Sequence, residues 1–134
     1  MILRIMLDTN VLISLLLFPN HRMNAMMDTI FTQHELVLSS FVVDELKAVV
    51  RRKFPSKIQV VDKLLSKMSY ELVYTPDEMD KSLFDIRDAK DYPVLYTAIV
   101  EDVDILITGD KDFADIDIEK PEIMTPADFM KEYM

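Results

Sequence analysis

Residues 104–110 read DILITGD and residues 2–10 read ILRIMLDTN, two short apolar runs that each stop at an acid. Asp104 to Thr108 is too short for a helix and is closed by Gly109-Asp110, so it reads as a buried strand. Ile2 to Leu7 reads the same way and is closed by Asp8-Thr9-Asn10. Working outward, Glu35–Ser39 (ELVLS) and Tyr70–Tyr74 are two more strands, and Glu122–Thr125 is a short last one. Helical spacing fills the intervals. Met23, Met26, Met27 and Ile30 mark the apolar face of one helical stretch, as core rather than as ligands. Ser40 reads as the N-cap of a helix from Phe41 to about Lys53. Pro55 divides it from a helix over about Ser56–Met68, with Val60, Val61, Leu64, Leu65 and Met68 inward. A weak helix covers Asp77–Phe84, Asp91–Val100 is a helix with Pro93 in its first turn, and a closing helix starts at Pro126.

Strands alternating with helices predict an α/β fold: a three-layer α/β/α sandwich around a central, mainly parallel sheet. The 134 residues, half of them hydrophobic, suit a single domain spanning 1–134. In such sheets ligands bind beyond the carboxyl ends of the strands. Asp8 and Asp110 both fall there.

Composition removes several chemistries. There are no cysteines, which excludes disulfides, thiolate zinc sites and cysteine nucleophiles and suits a cytoplasmic location. Gly109 is the sole glycine, so neither a dinucleotide fingerprint nor a P-loop can be present. His21 and His34 are too isolated for a histidine metal site. The first apolar run is interrupted at Asp8, too early for a signal peptide or membrane span.

The net charge of −9 is unevenly divided. Residues 1–76 hold 9 Lys/Arg and 7 Asp/Glu, whereas residues 77–134 hold 6 and 17. Between positions 46 and 69 the basic residues, Arg51, Arg52 and Lys53 among them, face only Asp62. Such a run is either the solvated outer face of a helix pair or a contact for a phosphate backbone.

Carboxylates at the ends of neighbouring parallel strands converge and repel, and a hard divalent cation relieves that conflict. Asp8 reads equally as a helix cap, and Asp91 sits where a helix begins, so it too could be an N-cap. Glu45 and Asp44 separate by geometry. At about 100° per residue, Val42, Val43, Leu46, Val49 and Val50 define a buried stripe; Asp44 lies roughly 160° from its centre and Glu45 about 100°. Glu45 therefore sits at the boundary of core and surface, where it can reach a cleft. After Gly109, Asp110 and Asp112 each reach a metal or cap the turn.

The segments MLDTNVLIS (6–14), LSSFVVDEL (38–46), RDAKDYPVLYTAI (87–99) and LITGDKDF (106–113) together resemble the PIN-domain nucleases, in particular the single-domain prokaryotic toxins of toxin–antitoxin pairs. The resemblance implies that Asp8, Glu45, Asp91 and Asp110 are the catalytic acids. It implies that Asp8, Asp91, Asp110 and Asp112 bind Mg2+ or Mn2+, and that Thr9, Asn10 and Thr108 support them. It further implies metal-assisted hydrolysis of RNA leaving a 5′-phosphate and a 3′-hydroxyl, and an antitoxin protein as partner; a homodimer stays open, and the interrupted apolar run argues against membrane association. Ala89 stands where proline is frequent, Tyr92 where an acid is frequent, and Glu101-Asp102-Val103 where a glycine-containing turn is frequent. An aromatic at Tyr92 could stack an RNA base beside the basic run. Two rivals remain: a PIN-like protein that only binds partners, and a receiver or aspartate-nucleophile phosphatase. Asp8-Thr9-Asn10 lacks the second acid that such a phosphatase needs.

Overall fold

The computed structural model of the chain describes residues 1–113 and 115–134. Five strands, β1 (Arg4–Leu7), β2 (Glu35–Ser39), β3 (Glu71–Val73), β4 (Ile105–Ile107) and β5 (Glu122–Met124), form one sheet in the order β3-β2-β1-β4-β5. All four pairings are parallel. The sheet is thus wholly, not mainly, parallel. Ile5, Met6, Leu7, Ile105, Leu106 and Ile107 are buried, which is why their sequence shows continuous apolar runs and no alternation. Met1 and Ile2 are exposed, so β1 starts later than its apolar run.

The connections β1–β2 and β2–β3 step one way across the sheet and β3–β4 steps back past β1. Right-handed crossovers then place their helices on opposite faces, giving three layers. The chain changes direction between β1 and β4, which makes that gap the topological switch point. The order also differs from the 2-1-3-4-5 of receiver domains, which removes the receiver half of that rival.

Among the described residues, six α-helices cover the sheet: α1 (Thr9–Leu17), α2 (His21–Gln33), α3 (Ser40–Lys53), α4 (Ile58–Lys67), α5 (Tyr92–Val100) and α6 (Pro126–Tyr133). The first helical stretch is two helices, because Pro19 interrupts it and Asn20 caps α2 through Met23 N–H. The cap of α3 is Ser39, one residue earlier than expected; its hydroxyl accepts from Val42 N–H. Ser40 is occupied elsewhere, accepting from Thr75 N–H at 3.0 Å and so tying the exit of β3 to the start of α3. The region predicted as one helix over 56–68 is a 3-10 turn (Pro55–Lys57) followed by α4, with Val60 exposed rather than inward.

No helix forms over 77–84. The Asp80 carboxylate accepts from both Ser82 N–H and Ser82 Oγ, a local turn that competes with helical bonding. At the other end of α5, Val103 N–H donates to Ala98 C=O and Asp102 N–H to Ile99 C=O, a Schellman closure. It places Asp102 at φ 54°, the left-handed conformation that glycine supplies more cheaply. This turn delivers the chain directly into β4.

Candidate active site

Two parallel strand ends define the site. Asp8 N–H donates to Ile107 C=O at 3.1 Å, extending the β1–β4 ladder by one bond and fixing Asp8 beside the end of β4. Asp8 is 5% exposed. One of its oxygens accepts from Val11 N–H at 2.9 Å and caps α1; the other accepts from the Thr108 hydroxyl. Asp8 therefore caps α1 and at the same time faces Thr108 beyond the end of β4. Burial pushes its carboxyl above the usual range, the Thr108 and Val11 hydrogen bonds oppose that, and Asp110 and Glu45 add repulsion.

Thr108 joins the two strand ends. While donating to Asp8, its hydroxyl accepts from Asp110 N–H at 3.0 Å. Asp110 in turn accepts from Asp112 N–H at 2.9 Å. So Asp110 holds the turn after Gly109, and the Asp112 side chain is free to face Asp91. Replacing Thr108 with valine keeps the shape but leaves a buried acid and the Asp110 N–H short of a partner. We expect it to cost ~1–3 kcal/mol in chemical denaturation, whereas Thr108→Ser, which keeps the hydroxyl, should cost less. Equal stability of Thr108→Val and wild type would show the hydroxyl to be idle.

Glu45 is half-buried and Asp44 exposed, as helix geometry required. The Thr9 hydroxyl donates to Glu45 Oε1, which holds the acid toward Asp8 across α1 and α3. Asn10, by contrast, is exposed and lines a shallow recess with Ser14, Phe18 and Gly109; it makes no side-chain hydrogen bond among the described residues.

Asp91 sits at the start of α5, after a 3-10 turn over Ala89–Asp91, but its side chain caps nothing. Its Oδ2 is buried without a hydrogen-bond partner among the described residues. Its carboxyl is pushed up to about 7, first by burial and then by Asp110, Asp88 and Asp112. An unpartnered buried carboxylate oxygen costs free energy unless a proton or a cation takes it. Oxygens of Asp88, Asp91 and Asp112 all lie within 4.8 Å of one another. That all-carboxylate set fits a hard divalent cation such as magnesium or manganese. Asp110 repels both Asp8 and Asp91, and links that cluster to the strand-end acids.

Asp88 was not foreseen. Its position three residues before Asp91 in RDAKD was visible, but nothing in an aperiodic turn says which way a side chain points.

Of the expected RNA contacts, Tyr92 follows Asp91 directly but is closed off by packing, and Arg51, Arg52 and Lys53 lie at the far end of α3. Tyr92 is 6% exposed. Its ring stacks on Phe84 at 4.2 Å and on Tyr96 at 5.9 Å, Lys81 Nζ lies 4.7 Å from the ring centroid, and its hydroxyl donates to Asp80 C=O. No face is left for a base; Tyr92 instead anchors the irregular 80–84 segment onto α5. Arg51, Arg52 and Lys53 are exposed in the last turn of α3, where they favour the helix dipole. They lie six to eight residues beyond Glu45, roughly 9–12 Å down the helix axis.

A model of the PIN domain matches residues 4–112. The chain belongs to the PIN-domain family. Among solved structures, 12 chains match it significantly. One is the crystal structure of VapBC2 from Rickettsia felis bound to a DNA fragment from their promoter. It has a TM-score of 0.70 and 22% identity, and the match covers 90% of this PIN domain and 96% of that chain. No curated protein matches it. No helix among the described residues of this PIN domain is long and apolar enough to cross a membrane.

Proposed function

We propose that this PIN domain is a divalent-metal-dependent endoribonuclease and the toxin half of a toxin–antitoxin pair. The observation that carries the reading is the orphaned Asp91 Oδ2 within a cluster of acids at the switch point of a parallel sheet. Family membership adds weight to it. The Rickettsia felis VapBC2 structure, solved with promoter DNA, supports a protein partner for this chain as well.

Asp8, Asp91, Asp110 and Asp112 would hold the metal, with Asp88 adding a fifth carboxylate. When bound, magnesium or manganese supplies Lewis-acid activation of water and offsets the charge that builds on the phosphoryl oxygens. Glu45 adds to the repulsion on Asp8 and is not one of the three acids of the Asp88–Asp91–Asp112 group. Steadied by Thr9, it takes the proton of the attacking water. Water adds to phosphorus, the bond from phosphorus to the 3′-oxygen breaks, and that oxygen takes up a proton from solvent, leaving a 5′-phosphate and a 3′-hydroxyl. The network from Thr108 to Asp8 and Asp110 keeps two of the acids in place before substrate arrives.

Purified protein should cut single-stranded RNA with magnesium or manganese, and chelator should stop the cutting. The same metals should raise the melting temperature by binding only the folded state. RNA left whole with both metals, despite such a rise, would make this a PIN domain that binds metal without cutting.

A further inference from the structure

An RNA strand carries one negative charge per nucleotide, and the acids of this cleft repel it. Something must hold the phosphates beside the one being cut. Residues 77–134 contain six cations against 17 acids. Lys120 pairs with Asp102 and Asp104 at 3.1 and 3.2 Å, Lys81 lies over the Tyr92 ring, and Lys131 is on α6. The remaining three, Arg87, Lys90 and Lys111, border the acid cluster along the chain. Arg87 precedes Asp88, Lys90 lies between Asp88 and Asp91, and Lys111 lies between Asp110 and Asp112.

All three are exposed. Arg87 is the best placed: its side chain is 87% exposed, and its one ion pair among the described residues is a loose 3.7 Å contact with Asp112. Such a contact is worth little and yields readily to a phosphate, which a guanidinium can grip in bidentate fashion. Arg51, Arg52 and Lys53 start roughly 9–12 Å from Glu45 along α3, whereas the three rim cations are chain neighbours of the acids.

We propose that Arg87, Lys90 and Lys111 form the phosphate-binding rim of the cleft, gripping the single-stranded RNA backbone on both sides of the bond to be cut. This rests on the nuclease reading above and assigns the residues that bind its substrate. Neutralising them removes about three phosphate contacts, each worth roughly 0.7 in the slope of log affinity against log salt for a single strand.

The test compares wild type, an Arg87→Ala/Lys90→Ala/Lys111→Ala variant and an Arg51→Ala/Arg52→Ala/Lys53→Ala variant. Cleavage kinetics with magnesium are measured across salt concentrations, and RNA binding by fluorescence anisotropy with chelator present. The rim variant should show KM raised tenfold or more, kcat within about threefold of wild type, and a salt slope flatter by about 2. Its melting temperature should still rise with magnesium, which excludes a damaged acid site. The α3 variant should match wild type. An unchanged KM and slope in the rim variant, or a loss in the α3 variant alone, overturns the proposal. If wild type does not cut RNA, the nuclease reading fails by itself, and anisotropy still decides whether the rim binds the strand.

Discussion

Asp91→Asn should reduce metal-dependent RNA cleavage by at least about a thousandfold and abolish most of the stabilisation by magnesium. The change keeps the side chain's shape and removes the charge on the one buried side-chain oxygen without a hydrogen-bond partner among the described residues. Loss of a charged oxygen ligand lowers affinity for a hard cation, and with it the activation of water and the neutralisation of the phosphoryl group. Paired melting curves with and without magnesium read the first effect, and cleavage rates read the second. Wild-type cleavage by Asp91→Asn would remove Asp91 from the site.

The same residue gives the metal-free protein a pH signature. Its folded carboxyl sits at about 7, against an ordinary value near 3.8. Between those values the folded state binds more protons than the unfolded state, so stability falls as pH rises from about 4 to about 7 and then levels. In a dry site the difference would be ~4 kcal/mol; at a half-buried group, solvent screening reduces it to ~1–2 kcal/mol. Chelated wild type should therefore melt lower at pH 8 than at pH 5.5, and magnesium should restore more stability at pH 8. Asp91→Asn should flatten both trends.

Much of this site was legible because periodic structure constrains side chains. A strand buried on both faces must read as an unbroken apolar run, so Asp8 and Asp110 announced themselves as residues just past strand ends. A helix turns by a fixed angle, so position favoured Glu45 over Asp44 for the boundary of core and surface without singling it out. Where the period stops, so does the inference. Asp88 and Asp112 meet across two aperiodic turns, and only the folded chain brings their oxygens together. The 77–84 segment carries enough helical character to suggest a helix, yet the Asp80–Ser82 turn and the stack of Phe84 on Tyr92 prevail. Charge patterning shows only what stands together in the chain. Arg51, Arg52 and Lys53 stand out as a run, while Arg87, Lys90 and Lys111 hide among acids that the fold gathers beside them.

Asp8→Asn should also eliminate cleavage, by about a thousandfold or more, with almost no change in stability without metal. Two opposed effects produce that near-balance. Neutralising a buried acid whose carboxyl is pushed up by burial, Asp110 and Glu45 removes a source of repulsion. Against this, the hydrogen bonds from Val11 N–H and the Thr108 hydroxyl lose their charged acceptor. Asparagine keeps one oxygen, enough to cap α1 through Val11 N–H. Its amide must then face Thr108, whose hydroxyl already accepts from Asp110 N–H and has a second lone pair to offer. The gain and the loss are each ~1 kcal/mol, so the net shift should stay within about 1 kcal/mol. Asp8→Ala is the contrasting variant. It removes the cap and leaves Thr108 without an acceptor, and should cost ~2 kcal/mol or more. Thermal denaturation with chelator reads both values, and RNA cleavage with magnesium reads the catalytic loss. A stable Asp8→Asn protein that still cuts like wild type would reduce Asp8 to the cap of α1 and move the chemistry to Asp88, Asp91 and Asp112.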